Sequence, residues 1–236
     1  MKYISIILAM MLCVAGLSAQ QPTEPVSNPI KQWTSSFTSI DVDAPIKLKL
    51  IAIPIDQAPY IIYDTKGNET SKFTAEVEKG RVLKIRERYD PKRVGVTEVE
   101  VYFNTLSDIE LTRAETIVDG VLKEKILDII VSNNATLLAT LDVLDLKISI
   151  SGNSCVELNG EALYHTADVA TAMYNAAGLA TMSTIVEAHH NSEVRIDAEQ
   201  RLEAKSTTGG KIYYKSNPEI LRIEKTLFGV DVTPLK

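Results

Sequence analysis

Apolar and polar residues alternate along most of this chain, and between Asp108 and Tyr214 the alternation recurs on a schedule. The clearest copy runs Leu146-Lys147-Ile148-Ser149-Ile150, turns through Ser151-Gly152-Asn153-Ser154, and resumes at Cys155-Val156-Glu157-Leu158. A step back of 19 residues puts Leu127, Ile129 and Val131 in the places of Leu146, Ile148 and Ile150, and Leu137 and Ala139 in those of Val156 and Leu158. Steps of 20, 18 and 18 residues carry Val156 to Ala176, Val194 and Ile212, with Gly178, Ile196 and Tyr214 two places on. Turns fall at Asn133-Asn134, Ser151-Gly152, Thr171-Ala172, His189-His190 and Thr207-Thr208, and a looser copy starts at Ile109 and Leu111.

Alternation with period two is the mark of a strand, and a repeat near 20 residues is the mark of a solenoid. A coil this short cannot bury its own apolar face. Stacked coils can, because each strand then pairs with its equivalent about 4.8 Å away and the inward residues form continuous columns. The pattern therefore predicts an all-β fold, a right-handed parallel β-helix or β-solenoid with rungs of about 18–20 residues.

One copy strains the pattern. Between Leu163 and Met182 it carries Ala167, Ala170, Ala172, Ala176, Ala177 and Ala180, and its register points Asp168 inward. A buried, unpaired carboxylate is costly, which predicts a bulge or a shifted register. Ala is also the best helix former, so a helix competes here; the schedule on both sides favours a strand.

From Trp33 to Phe103 the strands are less strictly periodic: Phe37–Val42, Ile46–Leu50, Tyr60–Asp64, Phe73–Val77, Val82–Ile85 and Val99–Phe103. Lys66-Gly67-Asn68 and Lys79-Gly80 are turns, and the second suits a hairpin, so antiparallel edges are expected among the first rungs. The expected organisation is a signal peptide over 1–19, a Pro-containing linker over 20–32 and one domain over 33–236. Within that domain, 33–107 are irregular N-terminal strands, 108–220 regular rungs and 221–236 a C-terminal cap. An open solenoid end is a sheet edge that has to be covered, and Phe228 and Leu235 are the expected plugs.

The amino terminus sets the compartment. Lys2 precedes a nearly unbroken apolar run from Ile4 to Val14, and Leu17-Ser18-Ala19 closes it with a small residue. That is the layout of a signal peptide cleaved near Ala19, and the run is too short for a normal membrane span. A lipid anchor would need a cysteine directly after a small residue at the end of the run; Cys13 comes early and follows Leu12. The expected location is exported (periplasm, cell surface or extracellular), with no transmembrane segment in the mature chain. Cleavage leaves Cys155 without a disulfide partner, so stability rests on the core of about 215 residues. Cys155 falls on the solvent-side register of its strand beside Val156, and a buried or half-buried structural thiol is expected there in preference to a reactive one.

Loss of Lys2 takes the formal net charge from −6 to −7. That argues against nucleic acid and anionic membrane as partners. The one basic cluster, Lys84 to Arg88 with Lys92 and Arg93, is mixed with acids and reads as the solvated outer face of a strand.

No Gly-x-Ser-x-Gly, His-Glu-x-x-His, phosphate-loop or dinucleotide pattern occurs, and the carboxylates are scattered. No catalytic, cofactor-binding or metal-binding residue is nominated, and no cofactor is expected. His189 and His190, with Glu187, Glu193 and Asp197 nearby, raise the idea of zinc. At least three ligands would have to converge, and an exposed polar corner is the plainer reading. Tyr60, Tyr63, Tyr89, Tyr102, Tyr164, Tyr174, Tyr213 and Tyr214 either stack on sugars or form an interface, or fill wide rungs. The Ala-rich rung has one formal charge, Asp168, and forms a self-association surface if exposed.

The order of pieces carries a family resemblance: Phe37-x-x-Ile40-x-Val42, Ile46-Lys47-Leu48, Gly80-x-Val82-Leu83-x-Ile85, Val99-x-Val101-Tyr102, the Ser151-Gly152-Asn153-Ser154 turn, and Lys211-Ile212-Tyr213-Tyr214 leading to Pro218. From Trp33 to Ile220 the chain resembles the secreted bacterial auto-transporter adhesin, head GIN domain family. The resemblance implies a β-helix of short stacked strands outside the cytoplasm and supplies no site residues. The expected role is a secreted or cell-surface, non-enzymatic, adhesin-like interaction protein. Its partner would be a glycan or an envelope or host surface protein. The alternatives are a carbohydrate-active enzyme on a β-helix, and a self-assembling envelope module that forms a homo-oligomer.

Overall fold

The computed structural model describes residues 27–88, 90–93, 95–224 and 231–235. The strands are β1 Ile30–Trp33, β2 Ser39–Asp43, β3 Lys47–Ala52, β4 Tyr60–Asp64, β5 Phe73–Glu78, β6 Val82–Glu87, β7 Glu98–Phe103, β8 Asp108–Thr112, β9 Glu115–Ser132, β10 Thr136–Ser151, β11 Cys155–Ala170, β12 Met173–His189, β13 Glu193–Ile196, β14 Arg201–Ser206, β15 Lys211–Tyr214, β16 Ile220–Glu224 and β17 Asp231–Pro234. The signal-peptide reading and Phe228 lie outside the described residues.

The strands stack into two ladders that enclose the core. The first sheet runs β5–β6–β2–β8, then the second halves of β9, β10, β11 and β12, then β14 and β16. The second sheet runs β1–β4–β7–β3, then the first halves of β9 to β12, then β13, β15 and β17. The long strands β9 to β12 pass unbroken from one sheet into the other, so each coil has one bend and one tight turn. From β8 onward every pairing between coils is parallel, and the fold is a parallel β-solenoid.

The columns that the sequence spacing predicts are present. Leu127, Leu146 and His165 stack in register, as do Ile129, Ile148 and Ala167, and Leu137 with Val156. Val194 stacks on Ile212. Each fully buried Leu or Ile contributes on the order of 1.5–3 kcal/mol. The tight turns fall one residue later than most of the expected pairs. Left-handed pairs occur at Asn133-Asn134 (φ 55° and 63°), Gly152-Asn153 (66° and 60°), His190-Asn191 (49° and 59°) and Thr208-Gly209 (52° and 82°). Asn and Gly occupy most of these places because they tolerate positive φ.

The Ala-rich segment is a strand and breaks the expected register. Val156 pairs with Tyr174 instead of Ala176, and Asn159 pairs with Gly178 across a bulge. Tyr174 in turn pairs with Val194, and Ala176 with Ile196. Alternation fixes which side a residue faces but cannot detect a slip of two. Asp168 points outward, between the inward Ala167 and Val169. Tyr174, the largest fully buried side chain, supplies the volume that the alanines give up.

Cys155 stands on the solvent side, as its register beside the inward Val156 predicts, but it is exposed and not the buried or half-buried thiol expected. In the basic cluster Lys84 and Arg86 face outward while Ile85 and Glu87 face in. The first strand begins inside the 20–32 stretch and ends at Trp33, and β16, from Ile220, and β17 extend both ladders into 221–236.

The N-terminal strands do not stack in chain order. The coil β2–β3 lies between the coil β6–β7 on one side and β8–β9 on the other. Beyond β6 and β7 the end of the solenoid is closed by antiparallel strands: β5 in the first sheet, β4 and β1 in the second. Asp64 secures this cap. It accepts hydrogen bonds from Ser27 Oγ (2.7 Å), Lys66 N–H (2.9 Å) and Asn28 N–H (3.3 Å). Burial alone would push Asp64 up, but these bonds together with the Lys66 ammonium outweigh it and hold the carboxyl far below the usual range.

Candidate functional site

The outer face of the second sheet gathers Trp33, Tyr60 and Tyr102 and a ladder of opposite charges at its N-terminal end. Outward residues of neighbouring strands fall directly opposite one another, which lets cross-strand pairs act. Trp33 pairs with Tyr60, and Tyr60 with Tyr102. Tyr60 and Tyr102 stack with centroids 4.2 Å apart, and Trp33 meets Tyr60 edge-on at 5.2 Å. Lys31 Nζ lies 3.7 Å from the Tyr60 centroid and 4.2 Å from that of Trp33. Tyr60 thus has a ring on one side and a cation on the other. Trp33 is left 63% exposed.

Beside this row runs the charge ladder. Glu98 pairs with Lys47, and Lys47 with Glu115; Glu100 pairs with Lys49, and Lys49 with Ile117. Lys66 Nζ caps it at 2.8 Å from Glu98, and Lys49 Nζ reaches Asp119 at 2.8 Å. The hydrogen bond with Asp119 raises Lys49. Tyr102 donates to Glu100 Oε2 at 2.8 Å, and that bond, helped by burial, pushes the phenol up to about 12. These residues border an open depression of about 320 Å³ lined by Lys47, Lys49, Glu98, Glu100, Glu115 and Ile117. A larger one of about 860 Å³ lies on the same face at the other end, around Arg195, Tyr213 and Leu235. Paired charges beside exposed rings suit reversible, polar recognition.

The residues singled out from sequence separate in space. His189 Nε2 lies 3.4 Å from Asp168 Oδ1 and 3.5 Å from Glu187 Oε2, and its Nδ1 is 2.6 Å from Thr207 Oγ1. Glu193 is on the outer face of the second sheet, and Asp197 is buried against Lys215 and Ser216. Among the described residues no group of three His, Cys, Asp or Glu side chains is placed to hold a metal ion. Tyr174 is a core residue, Tyr214 is buried, and Tyr164 is 53% exposed. Lys31, Trp33 and the charge ladder escaped the sequence reading. The Lys47-x-Lys49 and Glu98-x-Glu100 spacings put like charges on one face of each strand, and that was the signal available.

Two facing ladders wound as a parallel solenoid and closed by antiparallel strands place this chain among β-solenoid domains. Over residues 36–218 it belongs to the family described as "Putative auto-transporter adhesin, head GIN domain". A crystal structure of a "putative adhesin" from Bacteroides fragilis NCTC 9343 superposes with a TM-score of 0.80 at 16% identity, covering 89% of this chain and 98% of that one. A "putative adhesin" from Parabacteroides distasonis ATCC 8503 gives 0.66 at 18% identity over 89% and 96%. A "Putative lipid binding protein" from the same organism gives 0.64 at 15% identity over 89% and 97%. At these identities the likeness is one of fold. No curated protein matches.

Proposed function

We propose that this is an exported, non-enzymatic interaction protein that presents the outer face of its second sheet to a glycan of the cell exterior. The observation that carries the reading is the exposed Trp33 beside the ladder Glu98–Lys47–Glu115 and Glu100–Lys49. An exposed indole can stack on the apolar face of a sugar. Alternating carboxylates and ammonium groups supply acceptors and donors for its hydroxyls. The rigid stacked strands hold these groups at fixed spacing, so little ordering is required on binding. Family membership and the leader-like amino terminus support export, and no helix among the described residues is long and apolar enough to cross a membrane.

A glycan array probed with the chain beginning at Gln20 tests this. Binding that falls at least tenfold in Trp33→Ala and in Lys49→Ala supports the site. Equal binding by both variants, or none by the parent, removes it.

A further inference from the structure

Where β9 to β12 bend from one sheet into the other, consecutive residues both face out, and the outer edge of the solenoid becomes a ridge. Successive coils place Lys125, Leu144, Leu163 and Met182 along it, an order fixed by the registers on either side, and Glu199 and Gln200 follow beside Met182, with N–H groups bonded to the Thr181 and Met182 carbonyls. Leu144 is 53% exposed and Met182 38%. Ile126, 62% exposed, and Tyr164, 53% exposed, stand one residue along on the first-sheet side. Exposed side chains of this size rarely line up on a monomer without a partner.

The order of residues says what that partner is. The ridge is apolar in the middle. At the β9 end its free charge is Lys125, because Glu124 accepts from the Leu106 N–H, and at the other end it is Glu199, because Arg201 is tied to Glu203. Lys125 and Glu199 are both exposed, and among the described residues neither forms an ion pair within its own chain. A two-fold axis through Leu163 sets this ridge antiparallel against its own copy. Leu163 then meets Leu163, Leu144 meets Met182, and Lys125 meets Glu199, twice over. Such self-complementarity is what an isologous contact requires. Asp142 and Glu161 lie two residues back from the ridge and remain at the wet rim.

We propose that this ridge is a homodimer contact in which two chains pack antiparallel about Leu163. Four coil spacings of about 4.8 Å give a ridge about 19 Å long, at the small end for a specific interface. Association is therefore weak, in the micromolar range. This contact is independent of the glycan face, which lies on the second sheet near the other end.

Sedimentation velocity from 1 to about 500 µM tests it. The parent chain is expected to shift from monomer to dimer across this range. Leu163→Asp stays monomeric, and Lys125→Glu weakens the dimer about tenfold. The double variant Lys125→Glu/Glu199→Lys recovers it, which a merely misfolded chain would not do. A parent chain monomeric at every concentration overturns the proposal, as does an unchanged dimer in Leu163→Asp. Flotation of a monomeric parent chain with zwitterionic lipid vesicles, lost in Leu163→Asp, overturns it in favour of a lipid on the same ridge.

Discussion

The hydroxyl of Tyr174 lies 2.8 Å from Nε2 of His165, joining the two sheets through the middle of the core. Thr181 spends its hydroxyl proton on the Asp197 carbonyl, so Thr184 donates to Thr181 and its oxygen accepts from His165 Nδ1–H at 3.4 Å, which leaves Nε2 to accept from the Tyr174 hydroxyl. Thr184 meets Thr181 at 2.6 Å, and Thr181 donates to the Asp197 carbonyl at 2.7 Å. Burial pushes His165 down to about 4 and Tyr174 up.

That pair makes stability depend on acid. Well above pH 6.5 His165 is neutral in both the folded and unfolded chain and contributes no slope. Between 6.5 and about 4 the unfolded chain binds a proton that the folded chain refuses, so stability falls as pH falls. From pH 6.5 to 5 the loss is about 2 kcal/mol. Urea denaturation of His165→Gln over that interval is expected to show a slope smaller by this amount. An identical slope would show that the ring titrates freely.

Gly160 sits at φ 105°, where an added Cβ would lie 2.0 Å from the Leu141 carbonyl oxygen. Gly160→Ala therefore costs about 3 kcal/mol or more, combining backbone strain with a clash against a neighbouring coil. Gly120, at φ 81°, has nothing within 4 Å of that position. Gly120→Ala costs only the strain, about 1–2 kcal/mol. The two denaturation midpoints should differ accordingly.

Asp64→Ala removes the acceptor that ties Ser27, Asn28 and Lys66 to the N-terminal cap. Hydrogen exchange in β1 is expected to speed up about tenfold while β10 and β11 are unchanged. Emission from Trp33, the one tryptophan of the chain, should report the same loosening.

Cys155 is expected to react to completion with an aromatic disulfide reagent in native buffer, without denaturant, because it stands on the outer face. A thiol that reacts only after unfolding would place Val156 outside in its stead.

The solenoid was legible because its signal is redundant: Leu127, Leu146 and the residues two places along each repeat one decision in coil after coil. Register around Tyr174 was not, since a slip of two keeps the same faces inward and only packing volume chooses between them. The cap was half legible. Lys79-Gly80 announces the β5–β6 hairpin, but nothing local says that Ile30–Trp33 will find Tyr60–Tyr63. The same holds for Trp33 as a site residue, whose neighbours Tyr60 and Tyr102 are brought to it by long-range pairing alone.

Because β2–β3 is held between two coils made later, synthesis cannot lay this molecule down from one end. Everything up to β8 has to assemble as a block, with strands waiting for partners tens of residues downstream, which makes this the slow step of folding. Past that block each new coil needs only its predecessor as a template. Lineages of this protein could therefore lengthen or shorten at the carboxyl side by whole coils, while the interleaved block from Ile30 to Thr112 tolerates no such edit.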